Sequence, residues 1–283
     1  MTSAVQQTLA ARQQDSDVDQ TPTNKDAAML APTAPIPVNP VRAFRSVAEP
    51  AASRSTTTAR HIGEAMALIQ GALAPQRQMV REGDVICETG QRFDCLYVLN
   101  SGCAKIVTLT GDGREQLVGL KFRGDWLGLD GIATGHYSSS TIAIDTGEIW
   151  VLRYQTLLNA CAAQPALLTL LHIAMSREIT RDRDSLMSVC TLPADARVAE
   201  FLRSWADSLS ERGLRTDQIT LPLSRAEIGN YLGLTLETVS RALSKLARDK
   251  LIGFPERRRR DLQIPDVDAL SAYVARCLAP TLQ

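Results

Sequence analysis

The chain has 283 residues, 45% of them hydrophobic and 22% charged, and its 31 basic side chains balance 31 acidic ones for a formal net charge of +0. That length fits one or two domains with extensions, and the neutral balance excludes a global basic field, so any nucleic-acid surface must be local. No apolar run reaches membrane-span length, and the chain does not open on a secretory pattern because Asp15, Asp17 and Asp19 stand where an apolar core would be needed; no membrane association and a cytoplasmic location are expected.

Residues 1–60 carry Pro22, Pro32, Pro35, Pro37, Pro40 and Pro50, many Ala, Gln, Ser and Thr, and the aromatic Phe44. They have too little apolar surface to offset their ordering entropy and read as a disordered extension. From about Met79 short apolar runs alternate with glycine-bearing turns. Runs at Cys95–Leu99 and Cys103–Leu109 flank Asn100-Ser101-Gly102, which predicts a hairpin, and Thr110-Gly111-Asp112-Gly113 leads into a strand at Glu115–Leu120. Many short strands at this spacing point to a small antiparallel barrel or roll.

The period becomes helical from Gln155. A long run from Ala166 to Val189 sets Leu168, Leu171, Met175, Ile179, Leu186 and Val189 along one stripe, with Asp182 oddly within it. Pro193 breaks the run. A helix with Ala196, Ala199, Phe201, Leu202 and Trp205 inward follows.

The segment Arg225 to Ser244, RAEIGNYLGLTLETVSRALS, then reads as a helix-turn-helix. Ile228 and Gly229 face inward on a first helix, Gly229 permitting a close helix–helix approach. Gly233 supplies the positive φ that ends it, Thr235 caps a second helix, and Leu234 and Val239 anchor it. That second helix presents Leu236, Glu237, Ser240 and Arg241 on one exposed face, as a recognition helix does to a major groove. Glu237 and Arg241 are also an i,i+4 pair that could form a solvated ion pair instead. Basic residues cluster here: Arg241, Lys245, Arg248 and Lys250, then Arg257, Arg258, Arg259 and Arg260. Ser224, Thr235, Thr238, Lys245 and the four consecutive arginines are the candidate phosphate contacts. Leu251–Phe254 and Leu262–Ile264 read as two wing strands with the arginine run at the tip.

In this order of roll, long helix and winged helix-turn-helix, residues from about Met79 to Leu270 resemble the Crp/Fnr family of bacterial transcription regulators, and LSRAEIGNYLGLTLETVSRAL is most similar to the Fnr branch. The resemblance implies an α+β fold. An antiparallel, cyclic-nucleotide-binding-like β-roll sensor domain would span 61–163, a dimerisation helix 164–192, and a winged helix-turn-helix 193–283. It also implies a homodimer on double-stranded DNA, with RNA polymerase as a further partner. Leu171, Met175, Ile179, Asp182, Leu186 and Val189 then become the dimer seam, where Asp182 would place like charges across the two-fold axis. The alternative for Asp182 is a rim position paired with Arg181 or Arg183. Positions matching Glu237, Ser240 and Arg241 read bases in this family. Arg241 suits guanine, Glu237 cytosine, and Leu236 no more than a thymine methyl. Together they imply TTGAT-like half-sites in an inverted repeat.

The sensing end departs from both well-known patterns. Where the cyclic-nucleotide branch has Gly-Glu on the ribose and Arg-Ser on the cyclic phosphate, this chain has Gly128-Leu129 and Ser138-Ser139. Carboxylate and arginine are both missing. The oxygen-sensing branch holds an iron–sulfur cluster through clustered N-terminal cysteines and one in the roll. Here the first cysteine is Cys87, Trp150 stands at the matching roll position, and Cys87, Cys95, Cys103, Cys161, Cys190 and Cys277 show no CxxC spacing. No cofactor is therefore predicted. Most of the cysteines read as small buried hydrophobes, with Cys87, Cys95 and Cys103 as candidate redox thiols. The expected function is a transcription regulator, activator or repressor, answering a signal that the sequence does not identify, a redox- or oxygen-related one among the readings. The alternatives are a cyclic-nucleotide-responsive regulator and an effector-independent architectural protein. His61, His136 and His172 are scattered, and the chain has no HExxH, nucleophile elbow or phosphate loop, so an enzyme is not expected.

Overall fold

The computed structural model describes residues 51–255 and 261–278. A helix, α1 (Ala51–Leu73), leads into eight strands: β1 (Gln76–Val80), β2 (Val85–Cys87), β3 (Cys95–Ser101), β4 (Ala104–Leu109), β5 (Glu115–Lys121), β6 (Trp126–Leu127), β7 (Ser140–Ala143) and β8 (Gly147–Arg153). Three helices follow: α2 (Tyr154–Ala163), the 27-residue α3 (Pro165–Thr191) and α4 (Ala194–Ser210). The C-terminal part adds β9 (Gln218–Thr220), α5 (Arg225–Leu232), α6 (Leu236–Arg248), β10 (Asp261–Gln263) and α7 (Val267–Leu278). None of the described helices is long and apolar enough to cross a membrane.

The strands form two four-stranded antiparallel sheets, ordered β1-β8-β3-β6 and β2-β7-β4-β5, which is a jelly roll. Successive strands cross from one sheet to the other, except at the tight β4–β5 hairpin. There Thr110 N–H donates to Arg114 O (2.9 Å) and Gly113 N–H to Thr110 O (2.8 Å), as the Thr110–Gly113 turn predicts.

The expected β3–β4 hairpin is wrong. β3 pairs with β8 and β6, β4 with β5 and β7, and Asn100-Ser101-Gly102 is a corner between sheets. Glycine is needed there because a second crossover, between β7 and β8, passes directly alongside. A Cβ on Gly102 (φ +83) would lie 2.6 Å from Asp145 Oδ1, and one on Gly147 would lie 2.2 Å from Ser101 O. The corner is closed by Cys103 N–H donating to Asp145 Oδ1 at 2.9 Å.

Side-chain alternation divides the core. On β3, Cys95, Tyr97 and Leu99 face the inter-sheet space with Val80, Leu127 and Ile149. Leu96 and Val98 face the other way, joining Trp150 and Leu152 beneath α1, α2 and α3. Residues Cys95–Leu99 are consequently all buried. α1 fills this outer layer with Ile62, Met66 and Ile69, at helical i, i+4, i+7 spacing. This helix runs through the residue-60 boundary expected for the disordered extension: residues 51–60 are helical, and residues 1–50 lie outside the described set. A third cluster fills the C-terminal domain and reaches into the roll through Leu117 and Phe122.

The predicted stripe on α3 needs one correction. Leu171 is only 4% exposed and packs into the roll with Leu157, Cys161 and Leu167. Leu168, Met175, Ile179, Leu186 and Val189 keep exposed side chains, Leu186 the most at 63%. The helix presents two apolar faces, and sequence spacing alone merged them.

Candidate nucleic-acid interface

The two-helix unit is set by local signals. Ser224 and Glu227 form a complete capping box at the start of α5: Ser224 Oγ accepts from Glu227 N–H (3.2 Å), and Ser224 N–H donates to Glu227 Oε2 (2.9 Å). Gly233, at φ 65, ends α5, and Leu234 N–H returns to Gly229 O at 2.8 Å. Gly229 is required by proximity, since a Cβ there would lie 2.6 Å from Leu234 O. Thr235 caps α6, its Oγ1 accepting from Thr238 N–H at 3.2 Å.

One face of α6, made of Val239, Ala242, Leu243 and Leu246, is buried. The other carries Leu236, Glu237 and Arg241, all exposed, with Ser240 half-buried beside them. Among the described residues Glu237 and Arg241 form no ion pair with each other, although helical spacing allows one. Arg225, which sequence reasoning passed over, is exposed at the first turn of α5 and donates from Nη1 to Ser240 Oγ (3.3 Å). It lies next in sequence to the capping Ser224, and helix-to-helix proximity was the missing signal.

The candidate phosphate contacts divide. Ser224, Thr235 and Thr238 are at helix N-termini, where orphan N–H groups favour an anion. Lys245 is turned the other way. Its Nζ donates to Asp195 Oδ2 on α4, and Asp195, then Tyr273, raise its pKa. It ties α6 to α4 while its side chain stays half exposed. Arg257, Arg258, Arg259 and Arg260 lie outside the described residues. Among the described residues of the predicted wing, β10 pairs with β9, a strand not foreseen, and Leu251–Phe254 contributes a single bridge from Gly253 to Gln263.

Asn230 joins this domain to the roll. Its Oδ1 accepts from Leu117 N–H (2.6 Å) and its Nδ2 donates to Glu115 O (2.9 Å), so one amide side chain completes the outer edge of β5 as a neighbouring strand would. Gln116 Nε2 donates to Asn230 O, and Lys105 Nζ reaches Glu227 Oε1 at 2.7 Å. Burial works to raise the Glu227 carboxyl, but Lys105 and Ser224 outweigh it and hold it below the usual range. Deeper in, Asp125 is held by two guanidiniums. Arg181 of α3 binds both its oxygens (2.9 and 3.0 Å), and Arg212, beyond α4, donates to Oδ1 at 3.3 Å. Arg181 is thus engaged away from Asp182, which is exposed on α3.

The sensing candidates are placed as follows. Cys87 and Cys95 are buried and Cys103 half-buried. Burial raises all three thiols, Cys95 to about 11 and Cys103 to about 12. Raised, enclosed thiols hold little thiolate at neutral pH, which works against the redox role expected of them. Trp150 is a core residue whose Nε1 donates to Glu148 Oε1 at 2.8 Å. No three of the described His, Cys, Asp and Glu residues gather as metal ligands, and the six cysteines, all described, are dispersed over β2, β3, the corner, α2, α3 and α7. They do not fit an iron–sulfur cluster. Between the roll and α3 is a cavity of about 600 Å³, bordered by Asp130, Ser138 and Ser139 on one side and by Met175, Ile179 and Asp182 on the other. A cyclic nucleotide fits this set poorly. Among the described residues no arginine lines the cavity, and Ser138 and Ser139 already hold the carboxylate of Asp130.

Comparison with known proteins agrees with this architecture. Residues 196–273 match the Crp-like helix-turn-helix domain and residues 77–164 the cyclic nucleotide-binding domain. The chain is 33% identical over 198 residues to the transcriptional regulatory protein btr of Bordetella pertussis, covering 70% of this chain and 82% of that protein. It is 30% identical over 197 residues to the fumarate and nitrate reduction regulatory protein of Salmonella typhimurium, covering 70% and 78%. Among solved structures, FixK2 from Bradyrhizobium japonicum superposes with a TM-score of 0.62 at 26% identity, over 70% of this chain and 96% of that one. The chain belongs to the Crp/Fnr family of transcription regulators, with a β-roll followed by a helix-turn-helix DNA-binding domain.

Proposed function

We propose that this regulator binds, as a homodimer in the bacterial cytoplasm, an inverted repeat of TTGAT-like half-sites and acts there on RNA polymerase. The observation that carries the reading is the face of α6. Its far side is locked in the core, both flanking N-termini are capped, and Leu236, Glu237 and Arg241 are left exposed and unpaired with one another. Arg241 reads guanine O6 and N7, Glu237 accepts from cytosine N4, Leu236 packs on a thymine methyl, and Ser240, held by Arg225, is adaptable. Ser224, Thr235 and Thr238 position the backbone. Arg241→Ala, measured by gel shift, is expected to lower affinity by about 1–3 kcal/mol per half-site and to relax preference at the guanine. Undiminished preference for the repeat would sink the assignment.

Exposed Met175, Ile179, Leu186 and Val189 on α3 support the dimer, since an unpartnered apolar stripe on a long helix favours a second copy. Asp182 lies on the same face and opposes association by placing two carboxylates near the two-fold axis. Asp182→Ala is expected to lower the dimer dissociation constant several-fold in analytical ultracentrifugation. An unchanged constant together with unchanged DNA affinity would exclude that role.

A further inference from the structure

The roll contains a built oxyanion nest whose occupant is part of the chain. Ser138 and Ser139 direct four donors at one oxygen, Asp130 Oδ2. The two backbone N–H groups lie at 3.0 and 2.9 Å, and the two hydroxyls at 2.7 and 2.8 Å. Adjacent N–H groups backed by hydroxyls are how a backbone concavity holds a phosphate or carboxylate. The acceptor is fixed in place as well. Asp130 lies in a single 3-10 turn, Leu129–Gly131, with glycine on both sides of the Leu-Asp pair. A Cβ on Gly128 (φ +80) would come within 2.8 Å of the Tyr137 ring, and one on Gly131 within 2.6 Å of the Phe93 ring. The turn is seated against two aromatic rings and delivers its carboxylate to the nest without a swinging arm.

This nest is part of the wall of the 600 Å³ cavity between the roll and α3. The other charges on that wall are Lys121, which is paired with Glu178, and Asp182. Among the described residues no unpaired cation faces the space, and the four donors of the nest are taken. We infer that Asp130 is the specificity-determining residue of the roll cavity, a built-in anion that fills the oxyanion nest and excludes phosphorylated effectors. What enters is uncharged or cationic. Asp130 also bridges the Leu129–Gly131 turn to the residues just before β7.

The test is calorimetric titration of the full-length protein and of Asp130→Ala with 3′,5′-cyclic AMP and with inorganic phosphate. The wild type is expected to bind neither saturably. The variant, shown folded by its circular dichroism and cooperative unfolding, is expected to gain at least ~10-fold in affinity for one or both, because four donors lose their internal acceptor and a like charge is removed. A folded variant with no gain overturns the inference. Should Asp130→Ala fail to fold, the wild type decides. Saturable cyclic AMP binding that phosphate competes away would put a free anion in the nest and overturn it, and absence of saturable binding supports it.

Discussion

Asp125→Ala should be among the most damaging single changes in the molecule. The carboxylate is 7% exposed and accepts from Arg181, from Arg212 and, at 2.9 Å, from the Phe122 N–H. Removing it affects the two arginines unequally. Arg181 is 38% exposed and can turn to water. Arg212 is 2% exposed, held by Arg123 O (2.8 Å) and Ser208 O (2.6 Å), and lies 5.2 Å from the centroid of the Phe122 ring. One guanidinium is then buried with only the half-exposed Glu211, 3.7 Å away, as counter-charge, a defect of about 3 kcal/mol at the low end for a broken buried pair, and the orphaned Phe122 N–H adds about 1 kcal/mol. Urea denaturation at fixed protein concentration measures the loss as a fall in midpoint at unchanged slope. A second variant isolates the cause: Asp125→Ala combined with Arg212→Met should be more stable than Asp125→Ala alone, because the stranded charge goes with it. The pH dependence follows the same logic. Burial alone would raise the Asp125 carboxyl, but Arg181 and Arg212 outweigh it and hold it low. A depressed folded-state pKa gives stability that is present above the ordinary carboxylate range and lost as pH falls through the folded value. Asp125→Asn should remove that share of the acid sensitivity. A loss under about 1 kcal/mol for Asp125→Ala, or strict additivity in the double variant, would refute the claim that Asp125 is the main counter-charge of a buried guanidinium.

Two other changes probe the DNA-binding domain and its attachment. Gly229→Ala puts a methyl 2.6 Å from the Leu234 carbonyl, a backbone atom that cannot swing aside, so α5 and α6 must part. The expected cost is about 1–3 kcal/mol in a thermal melt, with a parallel loss of DNA affinity. Asn230→Leu removes both bonds to the β5 edge while keeping side-chain volume; hydrogen exchange at Leu117 should quicken by about 10-fold or more, with α6 protection unchanged. Equal loss of protection in α6 would show that Asn230 supports the helix pair itself.

The helix-turn-helix was legible because its determinants are local. Gly233 and Thr235 each act within four residues, and the pattern they make is readable without knowing what packs where. The same holds for the Thr110–Gly113 turn and for the length of α3, up to the break at Pro193. What was misread depends on distant partners. Two strands flanking Asn-Ser-Gly imitate a hairpin, and the sign against one, five consecutive buried residues in β3, needs knowledge that helices cover the outer face. Leu171 and Leu168 look alike along the chain, yet one faces the roll and the other faces out. The Lys245–Asp195 pair was not readable either, because its two members stand fifty residues apart. α1 was missed because its apolar residues, Ile62, Met66 and Ile69, begin beyond a long Ala, Ser and Thr stretch that resembles the preceding extension.

Besides the Lys105–Glu227 pair from β4, many of the contacts that join the roll to the rest of the molecule fall on one strand and the corner after it. β5 gives its outer edge to Asn230, its Leu117 to the core of the DNA-binding domain, and its last residue, Lys121, to Glu178 of α3. The corner then provides Phe122, which stacks edge-on against Trp205 of α4 (centroids 4.9 Å apart), and Asp125, which holds α3 and the end of α4 through Arg181 and Arg212. Adjacent strand residues point to opposite faces, so a slip of β5 by one position would reverse its side chains and break these links together. β5 also borders the cavity through Val118 and Gly119, on the side facing Met175 and Ile179 of the exposed α3 stripe. The cavity is thus bordered by the strand that holds the DNA-binding domain and by the helix face proposed to pair.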